Sequence, residues 1–300
     1  MKKRRMSGKR FVALVLALAA TMVPVAAHGA EKIPALVAMQ TGGQVLSNEK
    51  AAVDASNLSE GYILVKYTGG KDVRVKVQIS HDAATYTYNL NNQGQNETFP
   101  LTEGNGSYTV KVFENTSGNQ YAQAFSTTLT LQLRNDLLPF LYPNQYVNYS
   151  AESKAVAKAA ELTAGVSSDL DKINAIFTYV TQNISYDYDL ASTVQSGYLP
   201  DVDRTLETGK GICFDYAALM TAMLRSQNIP SKLVVGYAGE AYHAWINVYI
   251  EGQGWIQNAI YFDGEHWTLM DPTYVSTGKA SQETMAYVTN SANYSMKYAY

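Results

Sequence analysis

The sequence predicts an α+β protein in two unlike parts: an N-terminal antiparallel β-sandwich-like module, then an α+β domain with helices first and antiparallel strands after them. Three observations carry this. Between Gly61 and Leu133 apolar side chains recur at every second position, as in half-buried strands. From Ser150 the period lengthens to that of helices, and beyond Pro230 it returns to two. With 300 residues, 46% hydrophobic and 16% charged, the chain can bury one large or two ordinary cores and is too apolar for wholesale disorder.

Residues 1–30 read as an export signal. Lys2, Lys3, Arg4, Arg5, Lys9 and Arg10 precede the apolar run Phe11–Ala20, and small residues around Val25-Ala26-Ala27 and Gly29-Ala30 suit a peptidase. The run is short for a membrane span, and no later apolar stretch is long enough to cross a bilayer. The mature protein is therefore expected to be secreted, extracellular or at the cell surface, without stable membrane insertion. Losing the segment removes six of the 23 basic residues and none of the 26 acidic ones. The negative remainder gives no electrostatic reason to bind nucleic acid.

Residues 31–134 make the β-module. Val73, Val75, Val77 and Ile79 alternate with Arg74, Lys76 and Gln78, and similar runs cover Tyr62–Tyr67, Thr85–Leu90, Ser107–Phe113 and Ala124–Leu133. Turn formers separate them, such as Gly69-Gly70-Lys71-Asp72, Asn91-Asn92-Gln93-Gly94 and Glu103-Gly104-Asn105-Gly106. Strands at this spacing without helical intervals favour a small antiparallel sandwich. His81, beside Asp82 in an expected turn, reads as a solvated side chain. The module itself reads as a spacer or binding unit. Residues 135–149, with Pro139 and Pro143, are the expected connector.

Residues 150–300 form the second domain. Ser150–Gly165 is an alanine-rich helix ending at glycine, and Ser168-Asp169-Leu170-Asp171 opens another with Leu170, Ile173, Ile176 and Phe177 on one face. A third, amphipathic helix runs from near Cys213 to Asn228, with Ala217, Met220 and Leu224 in one stripe and Pro230 beyond its end. Strands are expected over Lys232–Tyr237, His243–Ile250, Trp255–Ile260 and Trp267–Met270, with turns at Glu251–Gly254 and Asp263–His266. Helices followed by an antiparallel sheet define the α+β class. The stretch Glu283–Tyr300 is expected to pack back on the domain.

A single cysteine excludes an intrachain disulfide framework and a thiolate-rich metal cluster. Free cysteines are commonly just small buried hydrophobes. Cys213 differs in following Gly209-Lys210-Gly211-Ile212, which lets the backbone bend sharply, and in opening a helix. Unpaired N–H groups there carry about half a positive charge, which favours a thiolate and an oxyanion formed when sulfur attacks a carbonyl. Of the four histidines, His28 leaves with the signal, His81 lies in the other half and His266 in a turn. His243, sharing a strand face with Trp245, Asn247 and Tyr249, is the plausible base; without Cys213 it would read as structural. Asp271, at a strand end before Pro272, can orient that imidazole from a neighbouring strand, though alone it would read as a turn cap. No two histidines stand at ligand spacing, so no metal or cofactor is expected.

Together these residues resemble the transglutaminase-like superfamily. Gly211-Ile212-Cys213-Phe214-Asp215-Tyr216-Ala217-Ala218-Leu219, with Leu224-Arg225 and Ile229-Pro230, resembles its nucleophile block. Gly236-Tyr237 with Tyr242-His243-Ala244-Trp245, and then Trp267-Thr268-Leu269-Met270-Asp271-Pro272-Thr273, resemble its later blocks in order. The resemblance implies a papain-like cysteine-protease core with Cys213 as nucleophile, His243 as base and acid, and Asp271 as orienting residue. It is nearest to secreted bacterial members carrying an N-terminal β-module. Animal transglutaminases use a tryptophan upstream of the cysteine for the oxyanion; here every tryptophan follows Cys213, and Tyr186 or Tyr188 is the substitute. Those enzymes also need calcium, whereas Asp187, Asp189, Asp201 and Asp203 read as scattered surface acids. The expected activity is acyl transfer on peptide or isopeptide bonds, hydrolysis narrowly ahead of transamidation, with cell-wall peptides or surface proteins as substrates. The rival expectation is a non-catalytic cell-surface or polymer-binding protein that keeps the fold as a scaffold.

Overall fold

The computed structural model describes residues 36, 38–257, 260–262, 267–269, 273 and 290–300. The expected signal, residues 1–30, lies outside them; among the described residues no helix is long and apolar enough to cross a membrane. In the first half, β1 (Val45–Ser47), β2 (Ala51–Asp54), β3 (Tyr62–Tyr67), β4 (Val75–His81), β5 (Ala84–Leu90), β6 (Glu97–Pro100), β7 (Gly106–Ser117) and β8 (Gln120–Leu131) make two four-stranded antiparallel sheets. Their orders are β1-β2-β3-β6 and β5-β4-β7-β8. Val75, Val77 and Ile79 of β4 and Tyr86, Tyr88 and Leu90 of β5 point into the shared core, while Lys76, Gln78, Thr87 and Asn89 lie outside it.

Three strands escape the sequence pattern for physical reasons. β2 is buried at every position and so shows no alternation, and β1 and β6 are too short to display a period. β7 and β8 are longer than expected because their polar distal halves carry no apolar signal; they form one hairpin turning at Gly118, φ 53°. His81 is not simply solvated. It ends β4 and stacks on Tyr108 with ring centroids 4.5 Å apart, its Nδ1 3.1 Å from the Ser107 carbonyl oxygen.

The second half contains α1 (Lys154–Leu162), α2 (Asp169–Asn183), β9 (Ser185–Tyr186), α3 (Tyr188–Thr193), α4 (Val202–Thr208), β10 (Lys210–Gly211) and α5 (Cys213–Arg225). Strands β11 (Ser231–Ala238), β12 (Ala241–Ile250), β13 (Gly254–Ile256), β14 (Ile260–Phe262), β15 (Trp267–Leu269) and β16 (Tyr294–Ala299) follow. The main sheet runs β13-β12-β11-β16, all antiparallel, so the last described strand pairs with β11. β14 and β15 pair with each other, and β9 and β10 form a short parallel bridge.

Ser168 caps α2 as its motif predicts, accepting from the Asp171 N–H at 3.3 Å, and Ile173, Ile176, Phe177 and Val180 are buried. The acids read as scattered are mostly caps. Asp187 and Asp201 accept from the N–H groups of Leu190 and Arg204 at 2.8 and 3.0 Å, and Asp203 accepts from Ala155 N–H in the first turn of α1 at 2.9 Å. The helices α3 and α4 that two of them start are too short for an apolar period.

The central departure concerns α5. Every residue from Asp215 through Arg225 is buried, because α1, α2 and α4 cover one side and β11 and β12 the other. The expected single stripe is a whole circumference. At its last turn Arg225 is fully enclosed. Its Nε and Nη2 donate to the Ser231 carbonyl at 2.9 and 2.7 Å, Nη1 to Tyr142 at 2.6 Å, and Nη2 also to Tyr300 at 2.7 Å. Burial pushes its pKa down to about 10. This one side chain ties α5 to the start of β11, to residues 135–149 and to the end of β16. The connector is itself packed, with Leu138, Phe140, Val147 and Tyr149 buried, and residues Lys32–Tyr300 form one compact unit.

Arg225→Met keeps the apolar stem and removes all four hydrogen bonds. At roughly 1–3 kcal/mol for each buried group left short of a partner, the loss should be at least about 3 kcal/mol. The measurement is the urea unfolding midpoint; a value equal to wild type would mean that the guanidinium does not hold these segments together.

Candidate active site

The turn into Cys213 is set by close packing rather than by looseness. Gly211 pairs with Tyr186 across the β9–β10 bridge, and a Cβ there would fall 2.6 Å from the Asp215 Cβ. Ile212 is extended (φ −91°, ψ 176°) and caps α5 with no side-chain acceptor of its own. Asp215, in the third helical position, supplies one instead: its Oδ2 accepts from Ile212 N–H at 2.9 Å. Its Oδ1 accepts from the Tyr198 hydroxyl at 2.7 Å, and Arg204 Nη2 donates to that same hydroxyl oxygen. Burial pushes the Asp215 carboxyl up, against the lowering effect of these two hydrogen bonds. Tyr198 is pushed up by burial and then by the Asp215 carboxylate. The cap here is Ile212 rather than Ser, Thr, Asp or Asn, so Asp215 showed no capping signature in the sequence, and Tyr198 and Arg204 had no local signal either.

Cys213 is thus the first residue of α5, half-buried, with first-turn N–H groups beside it. It lines a cleft of about 480 Å³, and His243 lines the same cleft. His243 is the third residue of β12, which starts earlier than expected, and it is 7% exposed. It lies opposite Gly236 of β11. A Cβ at Gly236 would come within 2.0 Å of the Ser295 carbonyl oxygen and 2.9 Å of the Trp245 ring, so this glycine lets the β16 backbone and the Trp245 side chain close on β11. The His243 and Trp245 rings are nearly parallel, centroids 6.4 Å apart, and Tyr294 meets Trp245 edge-on.

Of the two tyrosines proposed for the oxyanion, Tyr186 lines the cleft. Tyr188 is 60% exposed and packs edge-on against Tyr186 without lining it. Asp271 and His266 lie outside the described residues. The other wall is aromatic: Tyr146 of the connector, Tyr300 and Tyr242. Tyr146 packs against Phe214 and Tyr300 with centroids 5.3 and 4.6 Å away, and burial pushes its hydroxyl up to about 12. Burial also pushes up the Tyr242 hydroxyl. Among the described residues no three His, Cys, Asp or Glu side chains cluster as a metal site.

The site thus places a thiol at a buried helix's N-terminus and an imidazole on the adjoining antiparallel sheet. Residues 156–272 match the family model described as the Transglutaminase-like superfamily, and the C-terminal part of the chain is a transglutaminase-like domain. Uncharacterized protein YebA of Bacillus subtilis is similar, 25% identical over 180 residues that cover 50% of this chain and 22% of that protein. The kyphoscoliosis peptidase of Mus musculus is 29% identical over 129 residues, covering 39% of this chain and 17% of its own. A solved structure assigned as a candidate cysteine protease from Cytophaga hutchinsonii aligns with a TM-score of 0.41 at 17% identity, over 86% of this chain and 73% of that one. The chain therefore spans only a minor part of the curated relatives it matches.

Because burial raises the Asp215 carboxyl above its ordinary 3.8, the folded state favours its protonated form. The stability this confers is present in full below that ordinary value and is lost as pH rises through the raised one. Wild type should accordingly lose stability relative to Asp215→Asn over that interval. Paired urea unfolding curves across acid pH test this; a constant difference would remove burial as the dominant influence on Asp215.

Proposed function

We propose that the protein is an exported cysteine-dependent acyl-transfer enzyme acting on peptide or isopeptide amide bonds. The observation that carries the reading is that Cys213, at the first position of α5, and His243, on β12, line one cleft. The Cys213 thiolate attacks the amide carbonyl carbon, and the carbonyl oxygen becomes an oxyanion facing the first-turn N–H groups of α5, with Tyr186 as a second donor. The imidazolium of His243 gives its proton to the departing amine as the C–N bond breaks, leaving a thioester. His243 then takes a proton from water, the hydroxide attacks the thioester, and a carboxylic acid leaves while the thiolate returns. Asp271 holds the imidazole tautomer and supports its protonated form.

An amine in place of water at the second step gives transamidation by the same residues. Hydrolysis is favoured because Cys213 is only half-buried and water needs no acceptor pocket. The basic and apolar N-terminal segment places the enzyme outside the cytoplasm in this reading, with cell-wall peptides or surface proteins as substrates.

Incubation with a peptide library and a primary amine, read by mass spectrometry, separates cleavage, deamidation and amine incorporation. Cys213→Ala should yield none of them. Asp271→Asn should keep the wild-type circular dichroism spectrum and lower turnover by about 10³–10⁴-fold. Unchanged turnover would take Asp271 out of the triad. Absence of every product from the wild-type protein would end the enzymatic reading.

A further inference from the structure

The outer face of the β5-β4-β7-β8 sheet carries a charge pattern that the cleft chemistry leaves unused. Arg74, which precedes β4, with Lys76 on β4 and Lys111 on β7, borders or lies on this face, and none takes part in an ion pair among the described residues. The four strands contribute a single carboxylate, Glu114. That group is buried on the opposite side, where hydrogen bonds from Lys50 Nζ at 2.8 Å and from the Tyr67 hydroxyl lower its pKa. In the adjoining turn, Asp72 accepts from Asn92 Nδ2 at 2.9 Å. The outer face is therefore positive on a chain whose formal net charge is −3.

The face is also shaped. A groove of about 570 Å³ has Arg74, Lys76, Gln78, Asn89 and Tyr121 as its floor and Ser196 on its flank. Lys76 Nζ and the Arg74 guanidinium lie 5.3 and 5.9 Å from the centre of the Tyr121 ring. Ser196 borders the Cys213 cleft as well. The turn that holds it presses on the sheet so closely that a Cβ at Gly197 would meet Asn89 Nδ2 at 2.6 Å. One turn thus separates the reacting thiol from a cationic, amide-lined trough.

We infer that this groove is a docking surface for an acidic polypeptide segment that flanks the amide bond presented to Cys213. The inference rests on the acyl-transfer reading for the fate of the bound chain. A polypeptide is favoured over another polyanion for two reasons. The groove adjoins a site for amide chemistry, and its Asn89 and Gln78 amides can pair with backbone groups while Arg74 and Lys76 take carboxylates. Contacts outside the reacting bond would hold the substrate in place for attack.

The test uses the full chain carrying Cys213→Ala, so that binding does not depend on turnover, and a fluorescent oligoglutamate peptide followed by anisotropy. Binding should weaken with added salt, fall at least about tenfold in the further variant Arg74→Ala/Lys76→Ala, and be lost for the matched oligoglutamine. Equal affinity in the double variant, or for oligoglutamine, would overturn the surface. Tighter binding of an oligo(glycerol phosphate) of equal charge would overturn the polypeptide assignment. In a Cys213-containing chain, a chloroacetyl oligoglutamate should alkylate Cys213 about tenfold faster than its glutamine analogue. That advantage should vanish in Arg74→Ala/Lys76→Ala while iodoacetamide reacts equally with both proteins. No advantage in the parent chain would overturn continuity between groove and cleft. Lost binding would leave the acyl-transfer reading standing, whereas intact binding with no reaction product would remove that reading and keep the surface.

Discussion

Enclosing helix α5 on every side is the constraint from which the site follows. A helix without a solvent face must satisfy its polar ends inside the protein, and here each end has one dedicated charged side chain. Asp215 sits in the first turn and returns to the Ile212 N–H, and Arg225 sits in the last turn among three carbonyls. Both signs agree with the helix dipole. Both side chains are fully buried, so the helix cannot slide or rotate without orphaning a charge. The part of α5 left accessible is its first two residues, Cys213 and Phe214, and the first of them carries the thiol.

The same economy of position explains the sheet. β11 lies between β12 and β16 and meets both through Gly236, whose missing side chain admits the Ser295 carbonyl on one side and the Trp245 ring on the other. His243 is opposite that glycine in the β11–β12 pairing and lines the cleft. Tyrosines then fill the seam toward the β-module. Tyr86 and Tyr88 of β5 pack on Tyr298 and Tyr300, and Thr102 Oγ1 donates to the Ala299 carbonyl at 2.9 Å. The module, which the sequence reads as a spacer or binding unit, thus packs against the strand behind the cleft wall.

Such a seam also explains the abundance of tyrosine. A phenol ring brings apolar area and one polar atom, so it suits an internal boundary where most surfaces are dry and a few carbonyls or carboxylates still need donors. Tyr149, for instance, donates to the Leu141 carbonyl at 2.7 Å, and Tyr216 donates to Ile184 at 2.6 Å beneath the β9–β10 bridge.

The sequence by itself determined what local period and residue chemistry can carry. This covers the alternation of β4 and β5, the Ser168 cap and the helix that Cys213 opens. It could not reveal β2, whose uniform burial erases the alternation, nor α3 and α4, whose six and seven residues are shorter than a readable apolar pattern. It mistook α5 for a one-faced helix because a stripe of Ala217, Met220 and Leu224 looks the same whether or not the remaining faces are covered. Tertiary structure alone decided that covering, the choice of Tyr186 over Tyr188 in the cleft, and the links from Arg225 to Tyr142 and Tyr300. The physical reason is common to all of them: side chains that meet across long sequence separations leave no periodic trace in the chain that folds to join them.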